Sequence, residues 1–139
     1  MADRRRRLEE ALSEAGLRLT RQRSAILAAL ERKNRFITAQ DLHHELRGRR
    51  GAPGLATVYR TLATLALAGV LDTSVRDGEQ AFRLCGTDHH HHLVCESCGR
   101  VEEVGSEQVE TWVRQLARRR GFRVTTHTAE VYGICRDCA

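Results

Sequence analysis

Seven cysteine and histidine residues lie within the short segment from Cys85 to Cys98. The segment contains four consecutive histidines, His89–His92, and ends in a Cys-x-x-Cys pair. A second Cys-x-x-Cys pair follows near the end of the sequence. Structural zinc prefers thiolate and imidazole ligands and binds four of them in a tetrahedron. Two such pairs meet that number, so the sequence predicts a structural zinc site formed by Cys95, Cys98, Cys135 and Cys138.

Cys85 and the four histidines remain once those cysteines are assigned to one ion. In an extended strand, successive side chains point to opposite faces, so His89 and His91 would face one way and His90 and His92 the other. One strand could thus contribute to two further sites, each needing two more ligands. The candidates are Cys85, Asp72, Glu110 and His127, each of which taken singly is more often a core or surface residue. His43 and His44 lie on an amphipathic helix and are interpreted as structural.

The positive charge of the chain is confined to its first part. Residues 1–88 carry 16 Lys and Arg against 11 Asp and Glu, whereas residues 89–139 carry 7 of each, so the net charge of +5 lies in residues 1–88. A basic excess of this kind favours a polyanion such as nucleic acid. The sequence therefore predicts a polyanion-binding half and a metal-binding half, although the run Arg4–Arg7 is equally consistent with a solvated tail.

Residues 1–84 show the order of elements that is typical of a winged helix-turn-helix. Apolar spacing predicts a helix ended by Gly16, a second helix capped by Thr20 and a third opened by Thr38. A loop at residues 47–54 contains three glycines and the only proline. A fourth helix follows, and then a hairpin with the tight turn Asp77-Gly78.

The fourth helix, Leu55–Ala68, is predicted to be the recognition helix. Its apolar stripe consists of Leu55, Val58, Leu62 and Leu65. The opposite face carries small residues and one arginine, namely Ala56, Thr57, Arg60 and Thr64, with Tyr59 on the flank. Such a face suits the major groove, where arginine binds guanine or phosphate. Taken alone, the pattern equally fits an ordinary amphipathic helix.

The remaining residues predict a small α/β lobe. Strands are expected at Leu93–Val94 and Val101–Val104, followed by a helix that is capped by Ser106 and ended by Gly121. Two more strands are expected at residues 122–127 and 130–134. About 50 residues make a small core, so a zinc staple would contribute much of the stability of this lobe.

The sequence also argues against several other classes of protein. No signal peptide and no membrane span are recognisable, so we expect a soluble, cytoplasmic protein whose cysteines bind zinc rather than form disulfides. A zinc deaminase would combine a His-x-Glu motif with a Pro before a Cys-x-x-Cys pair, and neither Cys-x-x-Cys pair here is preceded by Pro. A zinc-ribbon interaction module would explain the four cysteines but not the basic winged helix.

In combination, several motifs resemble those of the ferric uptake regulator family, and within it the zinc-sensing branch. The matching segments are Thr20–Arg23, Ala39–Leu42, Thr57–Leu62, His89–Cys98 and Cys135–Cys138. The resemblance implies an α+β protein with an N-terminal winged helix-turn-helix DNA-binding domain at residues 1–84, a hinge at 85–88 and a small α/β dimerisation domain with structural zinc at 89–139. It also implies a zinc-dependent repressor that binds an inverted repeat of operator DNA as a homodimer.

The resemblance also implies roles for individual residues. A regulatory zinc site at the hinge falls on Asp72, Cys85, His90 and His92. A second zinc site in the dimerisation domain falls on His89, His91, Glu110 and His127, which agrees with the alternation of faces, so up to three zinc ions are expected per chain. The residues expected to contact DNA are Arg21, Thr57, Tyr59, Arg60 and Arg76.

One departure from the family bears on the choice of metal. Iron and peroxide sensors of the family typically use a histidine near the third helix and a carboxylate before the hinge, and those positions resemble Phe36 and Cys85 here. A thiolate in place of an oxygen ligand favours zinc over ferrous iron or manganese. The expected function is therefore zinc sensing, with a sensor of iron, nickel or manganese as the alternative.

Overall fold

The computed structural model describes residues 2–84, 89–105 and 107–139, and the chain divides into two compact units, residues 1–87 and 88–139. Among the described residues, no helix has both the length and the apolar character needed to cross a bilayer. The α+β class predicted from the sequence is confirmed, with helices predominating in the first unit and a small sheet in the second. The predicted hinge, residues 85–88, lies outside the described residues.

The first unit begins with three helices, α1 (Ala2–Glu14), α2 (Arg21–Arg32) and α3 (Ala39–Leu46). The two predicted caps are present, because the hydroxyl oxygen of Thr20 accepts from the Arg23 N–H at 3.2 Å and that of Thr38 accepts from the Asp41 N–H at 3.1 Å. A side-chain acceptor at this position satisfies one of the free N–H groups of the first helical turn. Helix α4 (Leu55–Leu67) follows the predicted loop.

The run Arg4–Arg7 is part of helix α1 and not of an irregular tail, although Arg4 and Arg6 are exposed to solvent. Arg5 contacts the Glu9 carboxylate at 2.6 Å and donates to the Ser24 hydroxyl of α2 at 2.7 Å. Part of the arginine run thus holds α1 against α2 and is not available to a polyanion.

The predicted hairpin consists of β2 (Leu71–Arg76) and β3 (Glu79–Leu84), paired antiparallel with Arg76 opposite Glu79. Its two turn residues, Asp77 and Gly78, have φ angles of 50° and 80°. Positive φ at both central residues is the geometry of a type I′ turn, which glycine adopts without strain. A short strand that the sequence did not predict, β1 (Ile37–Thr38), pairs with β3 on its other edge.

The core of the first unit forms where the four helices meet the hairpin. Leu42, Val58, Leu62, Leu65 and Phe82 are fully buried there. The predicted stripe of α4 needs one correction, because Leu55 is 42% exposed at the start of the helix, beyond the core. Thr61 takes an inward position instead, and its buried hydroxyl donates to the Thr57 carbonyl at 2.7 Å.

In its described residues, the second unit contains a three-stranded sheet and one helix. The strands are β4 (His91–Cys95), β5 (Val101–Val104) and β6 (Glu130–Gly133), and the helix is α5 (Glu107–Arg120). Strand β4 lies in the centre, antiparallel to β5 and parallel to β6. Ser106, the predicted cap of α5, lies outside the described residues.

Residues 122–127 were predicted to be a strand and are not one. Both edges of β4 are occupied by β5 and β6, and the segment does not pair with the outer edge of either strand. It instead forms part of the connection from α5 to β6. A parallel strand needs a crossover of this kind, since a tight turn can only return the chain antiparallel.

Candidate metal centres and nucleic-acid interface

The four cysteines predicted to bind structural zinc come together in the second unit. Their sulfur atoms all lie within 4.8 Å of one another, and Cys98 Sγ is 3.8 Å from Cys135 Sγ. Each Cys-x-x-Cys pair forms a tight turn, with the Gly99 N–H donating to the Cys95 carbonyl at 2.9 Å and the Cys138 N–H donating to the Cys135 carbonyl at 3.0 Å. None of the four forms a disulfide.

These thiols fit a zinc ion by distance as well as by chemistry. A Zn–S bond of about 2.3 Å places the sulfurs of a regular tetrahedron roughly 3.8 Å apart. The separation of Cys98 Sγ and Cys135 Sγ, 3.8 Å, has this value. A cage of four sulfurs with no oxygen donor suits zinc and is unsuited to magnesium or calcium.

The surrounding N–H groups favour ionisation of one thiol over another. The Cys135 backbone N–H donates to Cys95 Sγ at 3.3 Å. Together with the Cys98 N–H, this bond lowers the pKa of Cys95 to about 6. At Cys138 a hydrogen bond from Ser97 favours the thiolate, but the neighbouring thiols of Cys135 and Cys98 outweigh it and raise the pKa to about 12. A cation would remove this asymmetry, because it stabilises all four thiolates.

A second cluster contains three histidines and one carboxylate, His89, His91, Glu110 and His127. The Oε1 atom of Glu110, on α5, lies 3.0 Å from His89 Nε2, 3.1 Å from His91 Nε2 and 2.9 Å from His127 Nε2. The hydrogen bonds from His91 and then His127 lower the pKa of Glu110. The carboxylate is therefore ionised and in position to bind a cation.

This cluster also fits zinc. With bonds of about 2.1 Å, nitrogen and oxygen ligands of a tetrahedral ion lie roughly 3.4 Å apart. Since the four donor atoms already lie within 4.8 Å of one another, a small adjustment of the side chains would admit the ion. His91 lies on β4 and Glu110 on α5, while His89 precedes β4 and His127 lies in the connection from α5 to β6. His89 and His91 share one cluster, as the alternation of faces predicted.

The remaining predicted ligands, those of the hinge site, belong to different parts of the chain. His90 and His92 lie in the second unit, where their ring centroids are 5.0 Å apart. Asp72 lies in β2 of the first unit and is half-buried. Cys85 falls outside the described residues. His43 and His44 lie on α3 and take part in none of the metal-ligand clusters among the described residues.

The residues predicted to contact DNA lie on three elements of the first unit. Arg21 is exposed in the first turn of α2, and Arg76 is half-buried at the end of β2 beside the tip of the hairpin. On α4, Tyr59 is 52% exposed and Arg60 is exposed, whereas Thr57 is half-buried. Tyr59 also lines a groove between the start of α4, the start of α3 and β3.

Two residues of the second unit, Arg100 and Glu130, make polar contacts that were not predicted from the sequence. Arg100 contacts Asp137 at 3.1 Å and Glu102 at 2.8 Å, so it links the two cysteine turns. Glu130 lies 3.6 Å from His92. The first pair has no spacing signal in the sequence, and the second depends on the parallel pairing of β6 with β4.

Comparison with known proteins places this architecture in a family. The model of the ferric uptake regulator family matches residues 14–132. A zinc uptake regulation protein of Mycobacterium tuberculosis is 50% identical over 128 residues, which are 91% of this chain and 98% of that protein.

Two solved structures are similar to the chain. The crystal structure of FurB from M. tuberculosis, a zinc uptake regulator, is 51% identical, with a TM-score of 0.50 and coverage of 91% of this chain and 99% of the other. The ferric uptake regulator of Vibrio cholerae is 34% identical, with a TM-score of 0.71 and coverage of 91% and 98%. The chain belongs to the ferric uptake regulator family.

Proposed function

We propose that this protein is a zinc-responsive transcriptional repressor that binds operator DNA as a homodimer and controls genes of zinc uptake and homeostasis. It is a regulator and not an enzyme, and it would act in the cytoplasm, where operator DNA lies. Its 50% identity to a zinc uptake regulation protein over nearly the whole chain supports this function.

The observation that carries the proposal is the surplus of metal ligands in the second unit. The four thiols of Cys95, Cys98, Cys135 and Cys138 already make a complete structural site. A separate set of ligands consists of three imidazoles and the Glu110 carboxylate. The three Nε2 atoms each lie 3.1 Å or less from Glu110 Oε1. A protein that used zinc only for folding would not need the second set, so the extra ligands point to a response to the supply of metal.

The proposed regulatory site draws ligands from both units. Asp72 belongs to the first unit, His90 and His92 belong to the second, and Cys85 lies in the hinge predicted from the sequence. All four can act together only in one arrangement of the units, so they would select that arrangement when zinc is bound. To raise the population of this arrangement from about 1% to about 99%, zinc must bind it more tightly than the other arrangements by about 5.5 kcal/mol. A thiolate-containing zinc site can supply a difference of this size.

The winged helix would supply the contacts to DNA. Arg60 and Tyr59 project from α4, which we assign to the major groove, with Thr57 beside them. Arg21 and Arg76 would contact phosphates on either side. Two such helices in a symmetric dimer would read an inverted repeat, since protein symmetry and operator symmetry correspond.

The exposed apolar face of the second unit supports the dimer. Helix α5 has no buried residue, although it carries an apolar stripe. Trp112 is 61% exposed and Leu116 is 44% exposed. Nearby in sequence, Phe122 is 75% exposed and Val131 is 59% exposed. A soluble monomer rarely leaves a face of this kind uncovered, so a second copy of the chain is its proposed partner.

Zinc is favoured over the alternative metals by the donor atoms. Phe36, at the position where iron sensors carry a histidine, is 3% exposed and cannot bind a metal. Cys85 adds a soft thiolate, which prefers zinc to ferrous iron or manganese. A zinc-ribbon interaction module remains a weaker alternative because it leaves the winged helix and the histidine cluster without a role.

A mobility-shift assay with operator DNA tests the proposal. Protein that retains only structural zinc should bind weakly, and added zinc should restore binding at lower free concentrations than iron, manganese or nickel. If all four metals restored DNA binding at equal concentrations, the protein would not be a zinc-specific sensor. DNA binding that no metal changes would refute a metal-responsive repressor.

A further inference from the structure

His92 lies on the central strand of the sheet between two glutamates. Its Cα partner on β5 is Glu103, and its Cα partner on β6 is Glu130. Partners in register place their side chains on the same face of the sheet, about 5 Å apart. The His92 side chain is buried, with 9% exposed, whereas that of Glu130 is 27% exposed.

The contact between His92 and Glu130 involves a specific ring nitrogen. The Nδ1 atom of His92 lies 3.6 Å from Oε1 of Glu130. A hydrogen bond between these atoms would be about 2.9 Å long, so a small rotation of either side chain closes it. The other carboxylate oxygen, Oε2, accepts a hydrogen bond from the hydroxyl of Tyr132. The backbone is held as well, because the His92 N–H donates to the Ala129 carbonyl at 3.3 Å.

This arrangement favours one nitrogen of His92 as the metal-binding atom. A neutral imidazole carries one N–H and one lone pair. A carboxylate facing Nδ1 favours the proton there, so the lone pair is on Nε2. A metal-ligating histidine commonly donates its other N–H to a carboxylate in this way, which fixes the ring and makes the ligand more basic.

We propose that Glu130, held by Tyr132, is a positioning residue that fixes the tautomer and orientation of His92 in the regulatory zinc site. The inference rests on the proposed role of His92 as a ligand and deepens it. His91, in the other cluster, is different, because its Nδ1 atom is buried without a hydrogen-bond partner among the described residues. Glu130 thus strengthens zinc binding at the regulatory site and not at the His91 site.

Nuclear magnetic resonance of the full-length, zinc-loaded protein tests the tautomer directly. Long-range correlation of the histidine ring nitrogens, with His92 assigned from a His92→Ala spectrum, should show a proton on Nδ1 and a metal-bound Nε2. Glu130→Ala should shift the Nδ1–H proton resonance upfield and speed its exchange with water. A His92 ring bound through Nδ1, or one whose Nδ1–H signal is the same in Glu130→Ala, would overturn the proposal.

Zinc affinity supplies the second readout. Competition with a chelator should show Glu130→Gln binding zinc at the regulatory site about 10- to 100-fold more weakly, the range known for such outer partners. Tyr132→Phe should produce a smaller loss. Glu102→Gln, which removes a carboxylate of β5 paired with Arg100, is the matched control and should leave this affinity unchanged.

Cobalt(II) distinguishes a positioning residue from a ligand. In Glu130→Gln the visible and thiolate charge-transfer bands of bound cobalt should keep their positions, because the four donor atoms are the same. A changed spectrum would mean that Glu130 binds the metal itself and would overturn the positioning role.

The same measurements separate this inference from the proposed site. His92→Ala should lose one zinc equivalent per chain. If it keeps the full zinc content, the regulatory site as proposed is wrong. If His92→Ala loses that zinc while Glu130→Gln and Glu130→Ala leave the affinity as in the wild type, only the role of Glu130 is wrong.

Discussion

Cys98 Sγ lies 3.8 Å from Cys135 Sγ, although the two residues are 37 positions apart in the chain. Between them the chain forms β5, α5 and β6, so one bound ion would close this part of the second unit into a loop. The sheet of this unit has few fully buried apolar side chains, Val94 and Val101 among them. The metal would therefore replace much of the stability that a larger core supplies in other domains.

Cys98→Ser should unfold the second unit or abolish the dimer. Structural zinc sites contribute about 10–16 kcal/mol in zinc-finger peptides, more than a unit of this size can lose. Zinc content, circular dichroism and size-exclusion chromatography measure the effect. Glu96→Gln, an exposed change within the same turn, is the control. A folded, dimeric Cys98→Ser protein would contradict the structural assignment.

Arg60→Ala should weaken operator binding by about 1–3 kcal/mol, or roughly 5- to 150-fold, while zinc content and dimerisation stay unchanged. The arginine is exposed on α4 and would contact guanine or phosphate. Binding measured at several salt concentrations separates these roles, since loss of a phosphate contact lowers the salt slope by about 1. Arg119→Ala, on α5 of the other unit, removes the same charge and should leave affinity almost unchanged. Equal affinity of Arg60→Ala and wild type would refute the assignment of the recognition helix.

Cys85→Ala should remove one zinc equivalent per chain and abolish the stimulation of DNA binding by zinc. The structural site keeps its own four thiols, so the second unit should remain folded. Metal analysis and a mobility-shift titration with zinc provide the measurement. If zinc content and the zinc dependence both match the wild type, Cys85 is a packing residue of the hinge.

Glu110→Ala should remove zinc from the site that includes His89, His91 and His127. The carboxylate contacts all three rings, at 2.9–3.1 Å, so its loss leaves three neutral ligands. We expect one zinc equivalent fewer per chain, with the structural ion retained. Glu107→Ala, on the same helix and exposed, is the control for loss of charge. Unchanged zinc stoichiometry in Glu110→Ala would mean that this cluster does not bind the metal.

Trp112→Ala should weaken the dimer by about 2 kcal/mol or more, roughly a 30-fold rise in its dissociation constant, because buried tryptophans are common hot spots. Its side chain is 61% exposed in the isolated chain. Sedimentation equilibrium of the zinc-loaded protein measures the change. Gln115→Ala, a neighbouring exposed position, should have little effect. An unchanged dissociation constant would place the dimer interface elsewhere.

Local features of the fold were predictable from the sequence because they depend on nearest neighbours. The caps at Thr20 and Thr38 and the turn at Asp77-Gly78 are properties of a few consecutive residues, and all three are present. The alternation of His89–His92 depends only on the geometry of an extended chain. It correctly separated His89 and His91 from His90 and His92.

Predictions failed where an element depends on a distant partner. Residues 122–127 have strand-like composition, but among the described residues they pair with none of the three strands of this sheet. The spacing of Leu55 fits the apolar stripe of α4, but its side chain is exposed because the core does not extend to the first turn of the helix. The local periodicity of the sequence predicts neither which sheet edges are paired nor where the core ends.

The sequence by itself determined the kinds of ligand and their number, because two Cys-x-x-Cys pairs and a histidine run limit the possible metal chemistry. The family resemblance placed Glu110 with His91, but only the tertiary structure showed that Glu130 meets His92. Glu110 reaches His91 from a helix, and Glu130 reaches His92 through a parallel strand pairing whose register no spacing in the sequence reveals. Contacts of this kind arise from the packing of elements that are far apart in the chain, and a difference of one residue in register would place Glu130 on the opposite face of the sheet.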